Sequence, residues 1–194
     1  MTIVKRMLET MELLGQHHEE AASPDEKERF SMALDAFTFI FALGQAYGFE
    51  EYRQDRAASG PPVVIATFDT REEAEMWLKS HPEPPHHANI LIAGEYFLTA
   101  YAPDINHRAI LHNPTLEFYL KDMIHEGLPA PVAAFTLREE AHTWLNSQPE
   151  PPRQVFVTIA GQYYLAVYHY KIKLRALYPI AMAAKPVQSG EAAD

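Results

Sequence analysis

The chain of 194 residues contains no cysteine. Disulfides, thiolate nucleophiles and cysteine-ligated zinc are therefore excluded. Glycine is scarce, with 8 residues, so few loops could cradle a phosphate. No glycine-rich nucleotide-binding pattern, no nucleophile-elbow pattern and no H-E-x-x-H zinc pattern occurs. An enzyme of this sequence would have no visible nucleophile. Positive charge is also short: 16 Lys and Arg stand against 26 Asp and Glu, a net charge of -10. Phosphate and anionic lipid surfaces are recognised by clustered cations, so neither nucleic acid nor membrane is an expected partner. The most apolar run, Ala33 to Phe49, is broken by Asp35, Gln45 and two glycines. It falls short of the ~20 apolar residues that a bilayer span needs. The amphipathic start carries Glu9 and Glu12 and lacks the continuous apolar stretch of a signal peptide. With 47% hydrophobic residues, the expectation is a globular, cytoplasmic chain.

What the sequence does hold is an internal repeat. At a shift of 67 residues, Pro62–Leu111 aligns with Pro129–Tyr178 without a gap, and 23 of 50 positions are identical. Arg71-Glu72-Glu73-Ala74 meets Arg138-Glu139-Glu140-Ala141, and Trp77-Leu78 meets Trp144-Leu145. Pro82-Glu83-Pro84-Pro85 meets Pro149-Glu150-Pro151-Pro152, and Ile92-Ala93-Gly94 meets Ile159-Ala160-Gly161. Each copy begins with a short apolar run, Val63–Phe68 in the first, that reads as a buried strand. Asp69 with Glu72, and Thr136 with Glu139, have capping-box spacing for the helix that follows. The proline cluster ends that helix, because proline lacks the donor and restrains its predecessor. Asn89–Ala93 and Tyr96–Tyr101, joined through Gly94-Glu95, read as a hairpin.

The predicted class is α+β: an N-terminal helical pair over residues 1–58, then two tandem β-α-β-β repeats over 59–112 and 128–180. A helix over 113–127 joins them, opened by Asn113-Pro114 and stopped by Gly127. Residues 181–194 read as a flexible tail. Two arrangements fit this order: pseudo-symmetric packing of the two units, which we favour, or a ferredoxin-like order in which the first strand of copy two joins the sheet of copy one. In the N-terminal region, Ser23-Pro24-Asp25-Glu26 is a strong helix start. The helix it opens carries Phe30, Leu34, Phe37 and Phe41 on one face and Phe39, Ile40 and Leu43 beyond it. Apolar residues around most of a helix call for burial on two sides, within the chain or against a partner.

Three groups of residues are candidates for a site. Tyr164, Tyr168 and Tyr170 share one face of a strand, with Phe97 and Tyr101 at matching places in the first copy. Aromatics of this kind suit either a sheet core or a contact surface. Arg108 and Arg175 are matched arginines. They would either pair with a matched carboxylate such as Glu83 or Glu150, or bind an anionic ligand. His86, His87 and His107 form a loose set that could hold a metal, although copy two has Arg153, Gln154 and Leu174 there, so the unit folds without them. No cofactor is expected.

Phe68-x-Thr70-x-Glu72-Glu73-Ala74 ahead of Trp77-Leu78 is similar to the hybrid-binding module of ribonuclease H proteins. The similarity covers Phe68–Leu78 alone and lacks that module's basic, glycine-rich character, so no function is carried over. In general type the chain resembles small acidic immunity proteins and antitoxins. The expected function is non-enzymatic protein binding, as an immunity-like or adaptor protein, through an acidic and aromatic surface. Its expected partner is another protein, basic in charge, or a second copy through the second helix or the hairpins. The alternative is a small-ligand or metal-binding domain with its site between the two repeats.

Overall fold

The computed structural model of the chain describes residues 1–57 and 60–184. They fall into two compact units that divide after Ala57. Of the expected tail, residues 181–184 belong to a 3₁₀ turn, Ile180–Ala184, that opens on the buried Ile180, and residues 185–194 lie outside the described residues.

The first unit holds three helices: α1 (Ile3–Glu20), α2 (Pro24–Ala42) and α3 (Ala46–Ala57). The sequence reading expected two. Gly44, at φ 65°, takes the left-handed turn that stops α2, with its N–H donating to Phe41 O at 2.9 Å. The chain then re-enters a helix. The start of α2 is as expected: Ser23 Oγ accepts from Glu26 N at 3.2 Å, and Glu26 Oε2 accepts from Ala22 N at 3.2 Å. The core of this unit is small: among the described residues, Ile3, Met7 and Ala46 are buried. Phe37, Ile40, Phe41 and Phe49 are half-buried against it.

The second unit is α+β. Its first half runs β1 (Val64–Phe68), α4 (Arg71–Ser80), β2 (Asn89–Ile92), β3 (Glu95–Ala102) and β4 (His107–His112). Helix α5 (Thr115–Glu126) follows. The second half runs β5 (Ala133–Phe135), α6 (Arg138–Ser147), β6 (Gln154–Ile159), β7 (Gln162–His169) and β8 (Leu174–Pro179). Each half forms its own four-stranded sheet, in the orders β1-β2-β3-β4 and β5-β6-β7-β8. In both, the first pair is parallel and the other two are antiparallel. The halves therefore read β-α-β-β-β. One strand more than expected is present in each, because β4 and β8 are edge strands in which histidine, arginine and an exposed Leu111 mask the alternation. Strand β5 pairs with β6 in the second sheet, whereas the ferredoxin-like order would place it in the first.

The expected helix caps shift by one residue. Thr70 Oγ1, not Asp69, accepts from Glu73 N at 3.2 Å, and Glu73 rather than Glu72 takes the N–H of Asp69 at 3.1 Å. In α6 the cap position is Leu137, which has no side-chain acceptor, so Glu140 alone takes the N–H groups of Thr136 and Leu137 at 3.0 and 3.1 Å. Helix α5 likewise starts at Thr115, with Pro114 rather than Asn113 as its cap.

The hairpins turn on Ala93-Gly94 and Ala160-Gly161, with all four φ values positive. These are type I′ turns, whose twist matches that of the flanking strands. Side chains then alternate between two faces of each sheet. Ile90, Ile92 and Ile110 meet Ala74 and Leu78 of α4. Val157, Ile159, Ala166 and Leu177 meet Ala141 and Leu145 of α6. The opposite faces share one core, in which Val64, Leu91 and Tyr96 of the first sheet join Phe156, Leu165, Val167 and Tyr178 of the second. Leu116 and Leu120 of α5 complete it.

One titratable pair lies in this shared core. His169 is 5% exposed, and its Nε2 is 2.9 Å from the Tyr178 hydroxyl. The Tyr96 ring of the first sheet stands edge-on to the imidazole at 6.1 Å. Burial moves His169 from its ordinary 6.5 to about 4 and pushes the Tyr178 phenol up. Folded His169 thus resists a proton that the unfolded chain accepts near pH 6.5. Its contribution is fully present above about pH 6.5 and is lost as pH falls towards about 4. A drop of about 2.5 units corresponds to about 3 kcal/mol. Urea titrations between pH 7 and 4 should show stability falling by that order, and His169→Gln should flatten the slope. An unchanged slope in the variant would assign the acid sensitivity elsewhere.

Candidate functional site

The matched arginines are struts that join helix to sheet. Arg108 lies opposite Tyr101 across β3 and β4, and Arg175 lies opposite Tyr168 across β7 and β8. Arg108 donates to the carbonyl of His81 at 3.3 Å, and Arg175 donates to that of Gln148 at 3.0 Å. His81 and Gln148 are the C-cap residues of α4 and α6. The last carbonyls of a helix have no partner within it and carry partial negative charge, so a guanidinium there satisfies both the hydrogen bond and the dipole. Each guanidinium also covers a tyrosine ring, Arg108 over Tyr101 at 5.2 Å and Arg175 over Tyr168 at 5.5 Å. Nε of both arginines is buried without a hydrogen-bond acceptor, and the tyrosine ring below each guanidinium attracts its charge. The expected pairing with Glu83 or Glu150 is replaced by this carbonyl contact.

A second matched pair works from the other end of each helix. Arg71 donates to Ile110 O at 3.0 Å, and Arg138 donates to Leu177 O at 3.1 Å. Asn113 N bonds Tyr96 O at 3.0 Å. Counting along the β3–β4 register in steps of two places the carbonyl of Ile110 on the outer side of edge strand β4. Arg71 therefore occupies a main-chain acceptor that would otherwise offer itself to a foreign strand.

These contacts decide where the hairpin aromatics point. Phe97 packs on the α4 face of the first sheet, with the His112 ring edge-on at 5.5 Å. Tyr164 packs on the α6 face of the second, with Arg138 over its ring at 5.9 Å. Tyr168 follows under Arg175. Tyr170, in the turn after β7, lies under Arg153 at 4.0 Å. The row of tyrosines does share one face, as its period of two requires. That face is the one α6 covers, so the residues are half-buried and do not form an open contact surface.

The histidines do not converge. His86 Nδ1 accepts from Tyr101 N at 3.0 Å, which occupies one ring nitrogen. Adjacent His87 sits edge-on to it at 4.1 Å with φ 56°. His107 is exposed in β4, opposite Ala102. Among the described residues, no three His, Asp or Glu side chains could hold a metal ion. His86, His87 and His107 are thus not brought together as three ligands among the described residues.

A cleft does lie between the halves of the second unit, but elsewhere. It measures about 430 Å³. One wall carries Asp69 and Glu95 of the first half, and the other carries Arg138, His142, Arg175 and Tyr178 of the second. No signal in the sequence marks it, because nothing in a linear pattern says which loop of one half faces which helix of the other.

The first unit also exposes apolar side chains. No residue of α2 is buried. Met32, Phe39 and Leu43 are 66%, 64% and 56% exposed. Among the described residues, no single helix is long and apolar enough to cross a membrane, and α2 with Ala46–Gln54 of α3, bent by 112°, passes that test only as a broken pair. The chain matches no protein-family model, no curated protein and no solved structure.

If the arginines are struts, their loss should show as lost stability. Arg175→Ala and Arg108→Ala should each lower the unfolding free energy by about 2 kcal/mol, the scale of a hydrogen bond from a charged donor, in chemical denaturation. A variant as stable as the parent would return that arginine to the pool of candidate ligand groups.

Proposed function

We propose that the chain is a non-enzymatic protein-binding module, in which a duplicated β-α-β-β-β unit carries an N-terminal helical contact surface. The 23 identities in 50 aligned positions support the duplication. The observation that carries the binding reading is α2. A helix of 19 residues with no buried residue, yet rich in phenylalanine, keeps apolar area in water at a cost of about 25 cal/mol per Å². Surfaces of this kind mark contact sites. The first partner is a second copy of the chain, meeting the first through α2. The charge that remains exposed is acidic: residues 1–57 carry six Lys and Arg against eleven Asp and Glu. An acidic surface steers encounter with a basic protein, which agrees with an immunity-like or adaptor role. The contact surface of this proposal is α2 rather than the hairpin tyrosines.

A second reading, a small-ligand site between the halves, has the cleft in its favour. Its size lies in the range of small-molecule pockets, and carboxylates face guanidinium groups across it. A thermal-shift screen of zwitterionic compounds in which none raises the midpoint would remove it.

Light scattering over a concentration series tests the first reading. The parent chain should exceed its 22.0 kDa monomer mass as concentration rises, and Phe39→Glu with Leu43→Glu should hold it at the monomer. Both residues are exposed, so these changes do not touch the core. A parent chain that stays monomeric throughout would sink self-association through α2.

A further inference from the structure

The cleft between the halves has an open counterpart. A groove of about 340 Å³ runs between α4 and β4, lined by Arg71, Glu75, Lys79, Arg108 and Leu111 among others. At a shift of 67 residues, Arg71, Glu75, Arg108 and Leu111 become Arg138, His142, Arg175 and Tyr178, and these four form one wall of the cleft. Facing them are the end of β1 and the β2–β3 turn of the first half, Thr67–Asp69 and Ala93–Glu95. The tip of the first half thus faces the groove of the second.

The first groove lacks the reverse arrangement. Among the described residues, its lining comes from that half alone. The matching tip of the second half, Ala134–Thr136 and Ala160–Gln162, is not among its walls. A two-fold arrangement would have made both contacts. The halves are therefore arranged head to tail, which leaves one groove and one tip without a counterpart in the other half.

Head-to-tail surfaces left open at both ends propagate into chains of molecules. The sequence differs where it would prevent this. Asp69 and Glu95 on the first tip are replaced by Thr136 and Gln162 on the second. The free tip has lost both carboxylates, while the free groove is lined by Lys79, by Arg108 held to the His81 carbonyl, and by Arg71, which pairs with Glu75 at 3.0 Å, so its net charge is positive. This basic groove belongs to a chain of net charge -10, and Leu111 beside it is 51% exposed.

We propose that this groove docks an acidic turn of a partner protein, one that presents two carboxylates as Asp69 and Glu95 do towards the second half. A second wild-type copy does not fit, because its free tip is neutral. The proposal rests on the protein-binding reading but uses a surface in the second unit and no residue of α2.

The probe is the chain itself with an acidic second tip, Thr136→Asp with Gln162→Glu. Both positions are exposed, and the first half already accommodates Asp and Glu at the matching places. All chains carry Phe39→Glu and Leu43→Glu, so contact through α2 is removed and the two proposals fail separately. Effective concentrations within one chain are of millimolar order, so the solution mass is followed by small-angle scattering to about 1 mM. The tip variant should approach twice the mass of the chain with the natural tip. Adding Lys79→Glu, or about 0.5 M salt, should return it to the control mass. Equal masses for the two chains at every concentration, or association indifferent to Lys79→Glu, would overturn the proposal.

Discussion

The second unit depends on the guanidinium groups that fasten each helix to its sheet. A helix of ten residues, such as α4 or α6, is too short to be stable by itself in water. It must be held by packing and at its ends. Ala74 with Leu78, and Ala141 with Leu145, supply the packed face. Arg71 and Arg138 tie the first turn to the outer edge of the sheet, and Arg108 and Arg175 tie the C-cap carbonyl to the hairpin. With both ends fixed, the helix lies over the aromatic row, and the sheet is left with one free face. That face can only be buried against the other sheet. The shared core of Leu91, Tyr96, Leu165 and Tyr178 follows from this.

The same geometry separates structural chemistry from contact chemistry. Residues that look reactive in the sequence, the arginines and hairpin tyrosines, are used on the helix-covered faces. His169 and Tyr178 satisfy one another in the core. What remains on the outside is the apolar helix α2, an acidic overall surface and a small basic groove beside α4.

Much of this was legible from residue patterns. The strand, helix and hairpin of each half follow from Val63–Phe68, from Ala74, Trp77 and Leu78 at helical spacing, and from Gly94 and Gly161 at positive φ. The start of α2 follows from Ser23, Pro24 and Glu26. Strands β4 and β8 were hidden, because an edge strand carrying His107, Arg108 and His112 does not alternate like a buried one. Helix α3 was hidden because Gly44 stops α2 without ending the helical composition. The side-chain row Tyr164, Tyr168 and Tyr170 was found, but period alone cannot say whether solvent or a helix lies over it. The partners of Arg108 and Arg175 are main-chain carbonyls, which carry no signature in a sequence. The cleft depends on how two halves pack, and that is fixed by the whole core rather than by any segment.

The proposal places contact at α2 and keeps the hairpin tyrosines internal. Hydroxyl-radical footprinting of the full chain, dilute and concentrated, tests it most directly, because it reads side-chain exposure residue by residue. The account predicts that Met32 and Phe39 react strongly when dilute and lose reactivity on association. Tyr164 and Tyr168 should react weakly and equally in both. Protection that appears at Tyr164 and Tyr168 while Met32 and Phe39 stay reactive would contradict it.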